Sequence, residues 1–262
     1  MVTKPSHEPS VGTHILISGA SGALGRELAI RLARPQVRLS LWGRDQTRLG
    51  EIARRCGELG AQVSTRSLDL TKLDTVLAVL CEEDDSDPFD LALLVAGQGD
   101  VLPAGAIVER PDQVSRLAHT NFAAPAAMAS VLAARMAVRG KGRIGLVGTA
   151  AASHSLPFAA AYAGSKAGLA RYADALRLAV KSHGVSVTLI SPGFFTGEKA
   201  AGSAPPRPSE VTADFVAEQM ITAVMARRAE LVVPRRFLLL RWFDRLLPRA
   251  LRDRILLSLR LP

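Results

Sequence analysis

Short apolar runs alternate with longer amphipathic segments along most of the chain. Residues 14–18 and 90–96 are almost wholly apolar, which is typical of strands buried on both faces of a sheet. Between such runs, apolar residues recur every three or four positions, as they do along one face of a helix. The pattern predicts strands at residues 14–18, 37–42, 62–68, 90–96, 143–148, 185–191 and 230–234. It predicts helices at residues 23–33, 45–59, 72–83, 112–139 and 160–182.

This alternation of strands and helices, with connections of a few residues, predicts an α/β fold. The expected architecture is a doubly wound parallel sheet between two helical layers, α/β/α, because parallel strands need helical crossovers. The chain then divides into an N-terminal tail (1–12), the α/β domain (13–234) and a C-terminal extension (235–262). Pro125 is expected to bend the long fourth helix. Residues 83–88, which read EDDSDP, are expected to form an acidic surface loop.

Charge is distributed unevenly along the chain. The 262 residues carry a formal net charge of +9, which by itself suggests an anionic partner such as nucleic acid. Residues 227–262 hold ten Arg against three acids, so this segment carries +7 and residues 1–226 carry only +2. A hydrophobic content of 48% with 22% charged residues excludes a mainly disordered chain. The surplus charge therefore belongs to the C-terminal segment and not to the domain.

Apolar residues of that segment follow helical spacing on both sides of Pro248. These residues are Leu239, Trp242, Phe243 and Leu246 before the proline, and Leu251, Ile255 and Leu259 after it. Two short, Arg-rich amphipathic helices are predicted. They suit an anionic membrane surface, and they equally suit packing on the domain itself or on a second subunit. Nucleic acid is not an expected partner, because the segment has no recognised nucleic-acid-binding module.

Cysteine content and hydropathy bear on the compartment. Cys56 and Cys81 are too few for a disulfide framework, so a reducing environment is expected. The sequence has no apolar run typical of a secretory signal and none near the ~18 residues of a membrane span. We expect a cytoplasmic protein, peripheral at the inner face of a membrane if the extension binds lipid. His119 and His183 have no partners at metal-ligand spacing, so no metal site is predicted.

Three glycines follow the first predicted strand. Residues 18–25 read SGASGALG, which places Gly19, Gly22 and Gly25 between a strand and the start of a helix. Glycines at this point let the backbone turn tightly and approach a pyrophosphate held at the helix N-terminus. The motif predicts a dinucleotide site, and an ordinary strand-to-helix turn is the alternative.

The ends of the second and third strands indicate which dinucleotide is bound. An NAD site usually has Asp or Glu where this chain has Gly43, followed by Arg44. A guanidinium suits the 2′-phosphate of NADP, so NADPH or NADP is expected ahead of NADH or NAD. A solvated surface arginine is the alternative. Asp45 could cap the next helix, and Asp69 could touch the adenine, cap a helix, or do both.

Candidate catalytic residues lie in the second half of the domain. Tyr162 and Lys166, in the run YAGSK, are four residues apart and so share one face of a predicted helix. A nearby ammonium should lower the pKa of the phenol, which lets the pair act as a general acid or base on a carbonyl or an alcohol. Thr149, after the fifth strand, could donate a hydrogen bond to the substrate oxygen. Asn121 lies in the long helix, and Pro192-Gly193 ends the sixth strand.

Together these motifs resemble the short-chain dehydrogenase/reductase family over roughly residues 13–233. The resemblance implies a single-domain Rossmann fold and hydride transfer between a nicotinamide and a carbonyl or alcohol. It implies that Tyr162 is the acid or base and that Lys166 holds the nicotinamide ribose and tunes the tyrosine. Thr149 would orient the substrate oxygen, and Asn121 would support a proton-relay water. Cofactor contacts are expected from Gly19, Ser21, Gly22, Leu24, Gly25, Arg44, Asp69, Ala96, Gly97, Tyr162, Lys166, Pro192 and Gly193.

Four features depart from the family's pattern. The glycine loop has Ala23 at its middle position, and Leu94-Val95 stand where two asparagines are usual. Thr149 replaces a serine, and Thr196 comes one residue early after Pro192-Gly193. The missing asparagines and the threonine motivate an alternative function, a non-catalytic protein of the same fold that binds a cofactor or a partner.

The favoured function is NADPH-dependent reduction of a hydrophobic, lipid-like ketone by a homodimer or homotetramer. Substrate selection is expected from residues around 154–158 and 194–207, where His154 and Phe194 are candidate contacts. Residues 202–208 are Pro-rich and are expected to form a flexible connection.

Overall fold

A computed structural model describes residues 12–103, 105–196, 211–238 and 246–258. Some of the predictions above lie outside these ranges. They concern residues 1–11, the Pro-rich stretch 202–208, and the tail positions Leu239, Trp242, Phe243 and Leu259.

Seven parallel strands form one sheet in the order β3-β2-β1-β4-β5-β6-β9. The strands in the described part of the chain are β1 (His14–Ser18), β2 (Arg38–Gly43), β3 (Gln62–Ser67), β4 (Leu91–Leu94), β5 (Gly142–Val147), β6 (Val185–Pro192), β7 (Phe195–Thr196), β8 (Val211–Thr212) and β9 (Glu230–Val233). The short strands β7 and β8 pair with each other outside the main sheet. All six strands predicted from residues 14–191, and the final strand, are present.

Helices cover both faces of this sheet. The helices are α1 (Ala23–Leu32), α2 (Gln46–Glu58), α3 (Leu73–Ser86), α4 (Pro111–Ala118), α5 (Ala124–Val138), α6 (Ala160–Val180), α7 (Ala213–Met225) and α8 (Arg249–Ser258). One core packs Ile17 and Leu28 against Met220 of α7. The other packs Leu16 against Leu132 of α5. Two separate cores on opposite faces of β1 are what a three-layer α/β/α fold requires, so the predicted fold class is confirmed.

The strand order reverses beside β1. Ser18 at the end of β1 is in register with Trp42 of β2 on one side and Leu94 of β4 on the other. In the sheet, β1 therefore lies between β2 and β4, and the connections from this point run to opposite sides of β1. In doubly wound sheets, the ligand crevice lies at this point, beyond the carboxyl ends of the strands.

The predicted helix at 112–139 is interrupted. A wide π turn at His119–Ala123 separates α4 from α5. Pro125 stands at the start of α5, where its missing N–H removes one helical hydrogen bond. The break therefore precedes the proline, and it places Asn121 in the π turn. Such turns are found mostly where a helix carries a functional side chain.

Helix α7 was not predicted from the sequence. Thr212 caps it by accepting a hydrogen bond from the Phe215 amide at 3.1 Å. Val216 and Met220, four residues apart, are fully buried on the face of α7 that packs against α1. A cap followed by this spacing was the available signal.

The prediction of an acidic surface loop at 83–88 is wrong. Residues up to Ser86 belong to α3, and the Asp84 side chain is fully buried between Arg135 and Arg139. Burial alone would raise the pKa of Asp84, but hydrogen bonds from Arg139 and Arg135 outweigh it and hold the pKa below its usual value. The arginines of α5, not solvent, neutralise this acidic helix end.

Within the described ranges, one helical run is long and apolar enough to cross a membrane by length and composition. It covers residues 111–138, with a mean hydropathy of 1.3 over its most apolar window, and half of that window is buried within the protein. Since α5 packs Met128 and Leu132 into the core, this run is the central helix of the domain.

Candidate active site

The glycine loop forms a tight turn between β1 and α1. Gly19 has φ +74°, a left-handed conformation that favours glycine, and a Cβ there would lie 2.7 Å from the Ala96 backbone. A Cβ on Gly25 would lie 2.2 Å from the Gly19 carbonyl oxygen. Gly22 begins α1 and supplies no side-chain cap, so the first amides of the helix stay available to an anion. The loop therefore fits a pyrophosphate.

A cleft of about 830 Å³ runs along the carboxyl ends of β1, β2 and β4. Nine of the predicted cofactor residues line it, namely Gly19, Ser21, Gly22, Leu24, Gly25, Arg44, Asp69, Ala96 and Gly97. The Leu24 side chain is buried in the core. Tyr162, Lys166, Pro192 and Gly193 lie outside the lining of this cleft. The volume and the close approach at Gly19 fit a dinucleotide such as NADPH.

The end of the cleft at β2 carries positive charge. The Arg44 guanidinium donates to the Gln98 side-chain oxygen at 2.8 and 2.9 Å when that amide is oriented to accept. The Arg44 carbonyl oxygen accepts from Ser67 Oγ at 3.1 Å. Gly43 stands where NAD sites carry an acid, and a Cβ there would lie 2.6 Å from Ser21 Oγ, so a larger residue would require the serine hydroxyl to rotate. Arg44 is thus held at the ribose end of the cleft with no carboxylate in the acid's place.

Two aspartates near this end have separate structural roles. Asp45 caps α2, as predicted, by accepting from the Arg48 amide at 3.0 Å. Asp69 accepts from the amide and hydroxyl of Thr71, and these bonds lower the pKa of its carboxyl. The alternative role of Asp69 as the cap of α3 is wrong, because that helix begins after Lys72. Asp69 instead fixes a turn that lines the cleft.

Tyr162 and Lys166 lie on α6, one turn apart. Lys166 is 4% exposed and its Nζ donates to the Val147 carbonyl oxygen at 2.7 Å. Burial lowers the pKa of Lys166 to about 8. Burial raises the pKa of Tyr162, and a hydrogen bond with the Thr149 hydroxyl offsets part of this rise. The expected lowering of the phenol's pKa by Lys166 is therefore wrong for this structure, in which the ammonium faces a carbonyl.

Thr149 joins Tyr162 to the end of β6. The threonine is 8% exposed, and its Oγ1 donates to the Pro192 carbonyl oxygen at 3.4 Å. Its bond with the tyrosine brings two hydroxyl groups together at the carboxyl edge of the sheet. Two hydroxyls side by side can both donate to one substrate oxygen.

Asn121 holds the segment that follows β4. Its Oδ1 accepts from the Gln98 amide at 2.8 Å, and its Nδ2 donates to the Gln98 carbonyl oxygen at 2.9 Å. A Cβ on Gly97 would lie 3.0 Å from Lys166 Nζ and 3.2 Å from Asn121 Oδ1. The side chain is therefore a clamp on the backbone next to the lysine, and a proton-relay role for Asn121 stays a prediction.

Gly193 contacts Phe237, a residue that was not predicted from the sequence as part of the site. The Gly193 amide donates to the Val233 carbonyl oxygen at 2.7 Å, beside the last register pair of β6 and β9. A Cβ on Gly193 would lie 2.3 Å from the Phe237 ring. The ring therefore packs on the glycine backbone, one residue from the carbonyl bonded to Thr149. The only sequence signal was that Phe237 follows the final strand closely.

Glu109 is a second site residue that was not predicted from the sequence. Its carboxylate accepts from the Ala161 amide at 3.0 Å and so caps α6 immediately before Tyr162. The residue preceding α6 is Ala159, which offers no side-chain cap. A helix without a local cap needs a partner from elsewhere in the chain, which was the available hint.

The candidate substrate residues are not gathered into either described cleft. His154 is partly buried after a short 3₁₀ turn, and Phe194 is 48% exposed. A second cleft of about 490 Å³ reaches Thr149 but includes neither residue in its lining. Phe195 lines the dinucleotide cleft, whereas residues 197–207 of the expected substrate segment lie outside the described ranges.

Comparison with known proteins identifies this arrangement. The family model for short chain dehydrogenases matches residues 13–206. The chain belongs to the short-chain dehydrogenase/reductase family. An uncharacterized oxidoreductase of Myxococcus xanthus is 32% identical over 84% of this chain and 86% of its own length. A very-long-chain 3-oxoacyl-CoA reductase of Neurospora crassa is 31% identical over 68% of this chain and 55% of its own length.

Solved structures share the fold. A short-chain dehydrogenase from Sphingobium yanoikuyae in complex with NADPH has a TM-score of 0.78 at 23% identity, covering 95% of this chain and 96% of that one. A bulky-bulky ketone specific alcohol dehydrogenase from Comamonas testosteroni has a TM-score of 0.77 at 22% identity, with 95% of each chain covered. Thus the family, the fold and the oxidoreductase class of this chain are established together.

Proposed function

We propose that this oxidoreductase uses NADPH to reduce a hydrophobic ketone to an alcohol. The observation that carries the proposal is the hydrogen-bonded pair Tyr162–Thr149, with buried Lys166 one helical turn away. A single helix, α6, supplies both the phenol and the ammonium, and the dinucleotide cleft is built on the neighbouring strands.

The raised pKa of Tyr162 suits reduction. Burial keeps the phenol protonated at neutral pH, so Tyr162 can donate its proton to the carbonyl oxygen while Thr149 hydrogen-bonds to the same oxygen. Bound NADPH supplies the hydride that the carbonyl carbon receives. The proton and the hydride together convert the ketone to an alcohol, which leaves Tyr162 as the phenolate.

The choice of NADPH over NADH rests on the β2 end of the cleft. Arg44 offers a fork of donors, Gly43 stands where NAD sites carry an acid, and Gln98 orients the guanidinium. Such a fork matches the oxygens of a 2′-phosphate. The Sphingobium yanoikuyae structure, which was determined with NADPH, adds support through similarity of fold.

A hydrophobic substrate is supported by the relatives and by the chain itself. The named activities among similar proteins include a very-long-chain 3-oxoacyl-CoA reductase and a bulky-bulky ketone specific alcohol dehydrogenase. In this chain, the Phe237 ring packs on Gly193, and Phe194, the next residue in sequence, is exposed. Aromatic side chains at the catalytic edge favour an apolar carbonyl compound over a small polar one.

The experiment that tests this function removes the phenol hydroxyl of Tyr162. Tyr162→Phe removes the proton donor and should lower the rate of ketone-dependent NADPH oxidation by roughly 10²–10⁴-fold. Tyr172→Phe is a matched control on the same helix, and it should keep near-normal activity. Full activity in Tyr162→Phe would refute the proposed role of this tyrosine.

The second candidate is a cofactor-binding protein without catalytic activity. It is favoured by the Lys166 ammonium, which bonds to Val147 instead of to the tyrosine. This function predicts NADPH binding, measured by nucleotide fluorescence, with no turnover across a panel of aliphatic and aromatic ketones. Turnover of any one of them that depends on Tyr162 excludes it.

A further inference from the structure

Helix α8 presents apolar side chains to solvent. Among its residues, Leu256 is buried, whereas Leu251, Ile255 and Leu257 are 47%, 45% and 71% exposed. Leu246, just before the helix, is 75% exposed. Exposed apolar side chains grouped in one segment of a folded chain often mark a binding surface. We call these four exposed residues, together with Arg254, the α8 face.

Positive charge surrounds the α8 face. Arg249 and Arg254 are exposed on the helix, and its acid Asp253 pairs with Arg252 at 3.0 Å. Residues 227–262 as a whole carry ten Arg against three acids. A second copy of the chain would bring the same surplus against it, and like charges repel. An anionic partner with an apolar layer beneath its charge complements both properties of the face.

We propose that the α8 face binds the surface of an anionic lipid bilayer. The four apolar side chains would enter the boundary between headgroups and acyl chains, as in other interfacial helices. Arg254 lies three residues from both Leu251 and Leu257, and its long stem can keep the guanidinium at the level of the lipid phosphates. The protein is then peripheral, at the inner face of a membrane, with its helix in the plane of the interface.

Vesicle sedimentation with the full chain tests the proposal. The protein should bind phosphatidylcholine vesicles that contain phosphatidylglycerol, and should bind pure phosphatidylcholine at least tenfold more weakly. Binding should weaken as salt is added, because the phosphate contacts are screened. Failure to bind the anionic vesicles at low salt overturns the proposal.

Matched variants show whether vesicle binding depends on the α8 face or on apolar and charged residues anywhere on the surface. Leu257→Glu should weaken vesicle binding about tenfold or more, whereas Ile107→Glu, at a loop residue 94% exposed, should leave it unchanged. Arg254→Gln should weaken binding about fivefold, and Arg55→Gln on α2 should not. Circular dichroism and melting temperature should match the parent in all four variants. Equal losses in face and control variants would contradict the proposal.

Light scattering tests whether a second copy of the chain, and not a bilayer, binds the α8 face. If Leu257→Glu halves the molar mass of the protein in solution and leaves vesicle binding intact, the α8 face is an interface between copies and the proposal is wrong. If Leu257→Glu leaves the molar mass unchanged and abolishes vesicle binding, the result supports the proposal. Neither measurement needs enzymatic turnover, so the result is independent of the proposed reductase activity.

Discussion

Single residues at the cleft decide which cofactor the chain can hold. A Cβ on Gly43 would lie 2.6 Å from Ser21 Oγ, so a larger residue there would require the serine hydroxyl to rotate. The chain carries no acid at this position, where an NAD site binds the ribose 2′-hydroxyl, and Arg44 follows directly. The glycine and the arginine together favour a phosphorylated ribose.

Arg44→Ala should separate the two nicotinamide cofactors. Loss of the guanidinium should raise the Kd for NADPH about 10- to 100-fold, because charge-assisted hydrogen bonds to the 2′-phosphate are lost. The Kd for NADH should change little, since NADH lacks that phosphate. Isothermal titration with both nucleotides measures this, and Arg55→Ala, on the exposed surface of α2, is the charge-matched control. A parallel loss for NADPH and NADH would contradict the assignment of Arg44.

The elements differ in how far the sequence could predict them. Strands such as β1 and β4 were predicted because burial on both faces demands a continuous apolar run. The π turn between α4 and α5 has no signature in hydrophobic periodicity, so the helix was predicted as one piece. In the site, the glycines and YAGSK were visible as local motifs. Gln98, Glu109 and Phe237 were not, because each acts on a residue that is distant in the sequence.

The contact between Gly193, at the end of β6, and Phe237, after β9, leads to a testable prediction. Gly193→Ala would place a methyl group 2.3 Å from the Phe237 ring, so the segment after β9 must shift and ketone reduction should fall about tenfold or more. Adding Phe237→Ala gives the methyl group space and should restore part of the activity in the double variant. Rates of NADPH oxidation in the four members of this double-mutant cycle measure the coupling.

The cycle also separates two roles for Gly193. If Phe237→Ala restores no activity, the glycine is required for close approach of the cofactor, as the family resemblance implies. Recovery in the double variant shows that the glycine accommodates the ring.

At the scale of the whole molecule, charge has two separate roles. The surplus of the chain lies in residues 227–262, and on α8 the side chains of Arg249 and Arg254 are exposed. Within the domain, charges are paired where elements meet. Asp84 near the end of α3 accepts from Arg135 of α5, from Arg139 directly after that helix, and from the Phe89 amide that precedes β4. One buried carboxylate thus joins two helices and a strand on one face of the sheet.

This carboxylate should make stability depend on pH in acid. The pKa of Asp84 is lower in the folded protein than the ~3.9 of an unfolded chain, so the folded state binds fewer protons. Its contribution is complete above the unfolded pKa and is lost as the pH falls through the folded pKa. Asp84→Asn should cost about 3 kcal/mol at neutral pH, because two arginines lose their buried partner. The variant should also lose less stability than the parent below about pH 4.

Thermal melts from neutral to acid pH measure both effects. Asp174→Asn is the matched control, since that aspartate is an exposed helix residue paired with Arg177 at 2.7 Å. Surface pairs of this kind contribute about 0–1 kcal/mol, so the control should melt close to the parent at every pH. If Asp84→Asn and Asp174→Asn have the same melting profile, the buried aspartate does not join these elements. A selective loss at neutral pH means that α3, α5 and β4 depend on one internal charge.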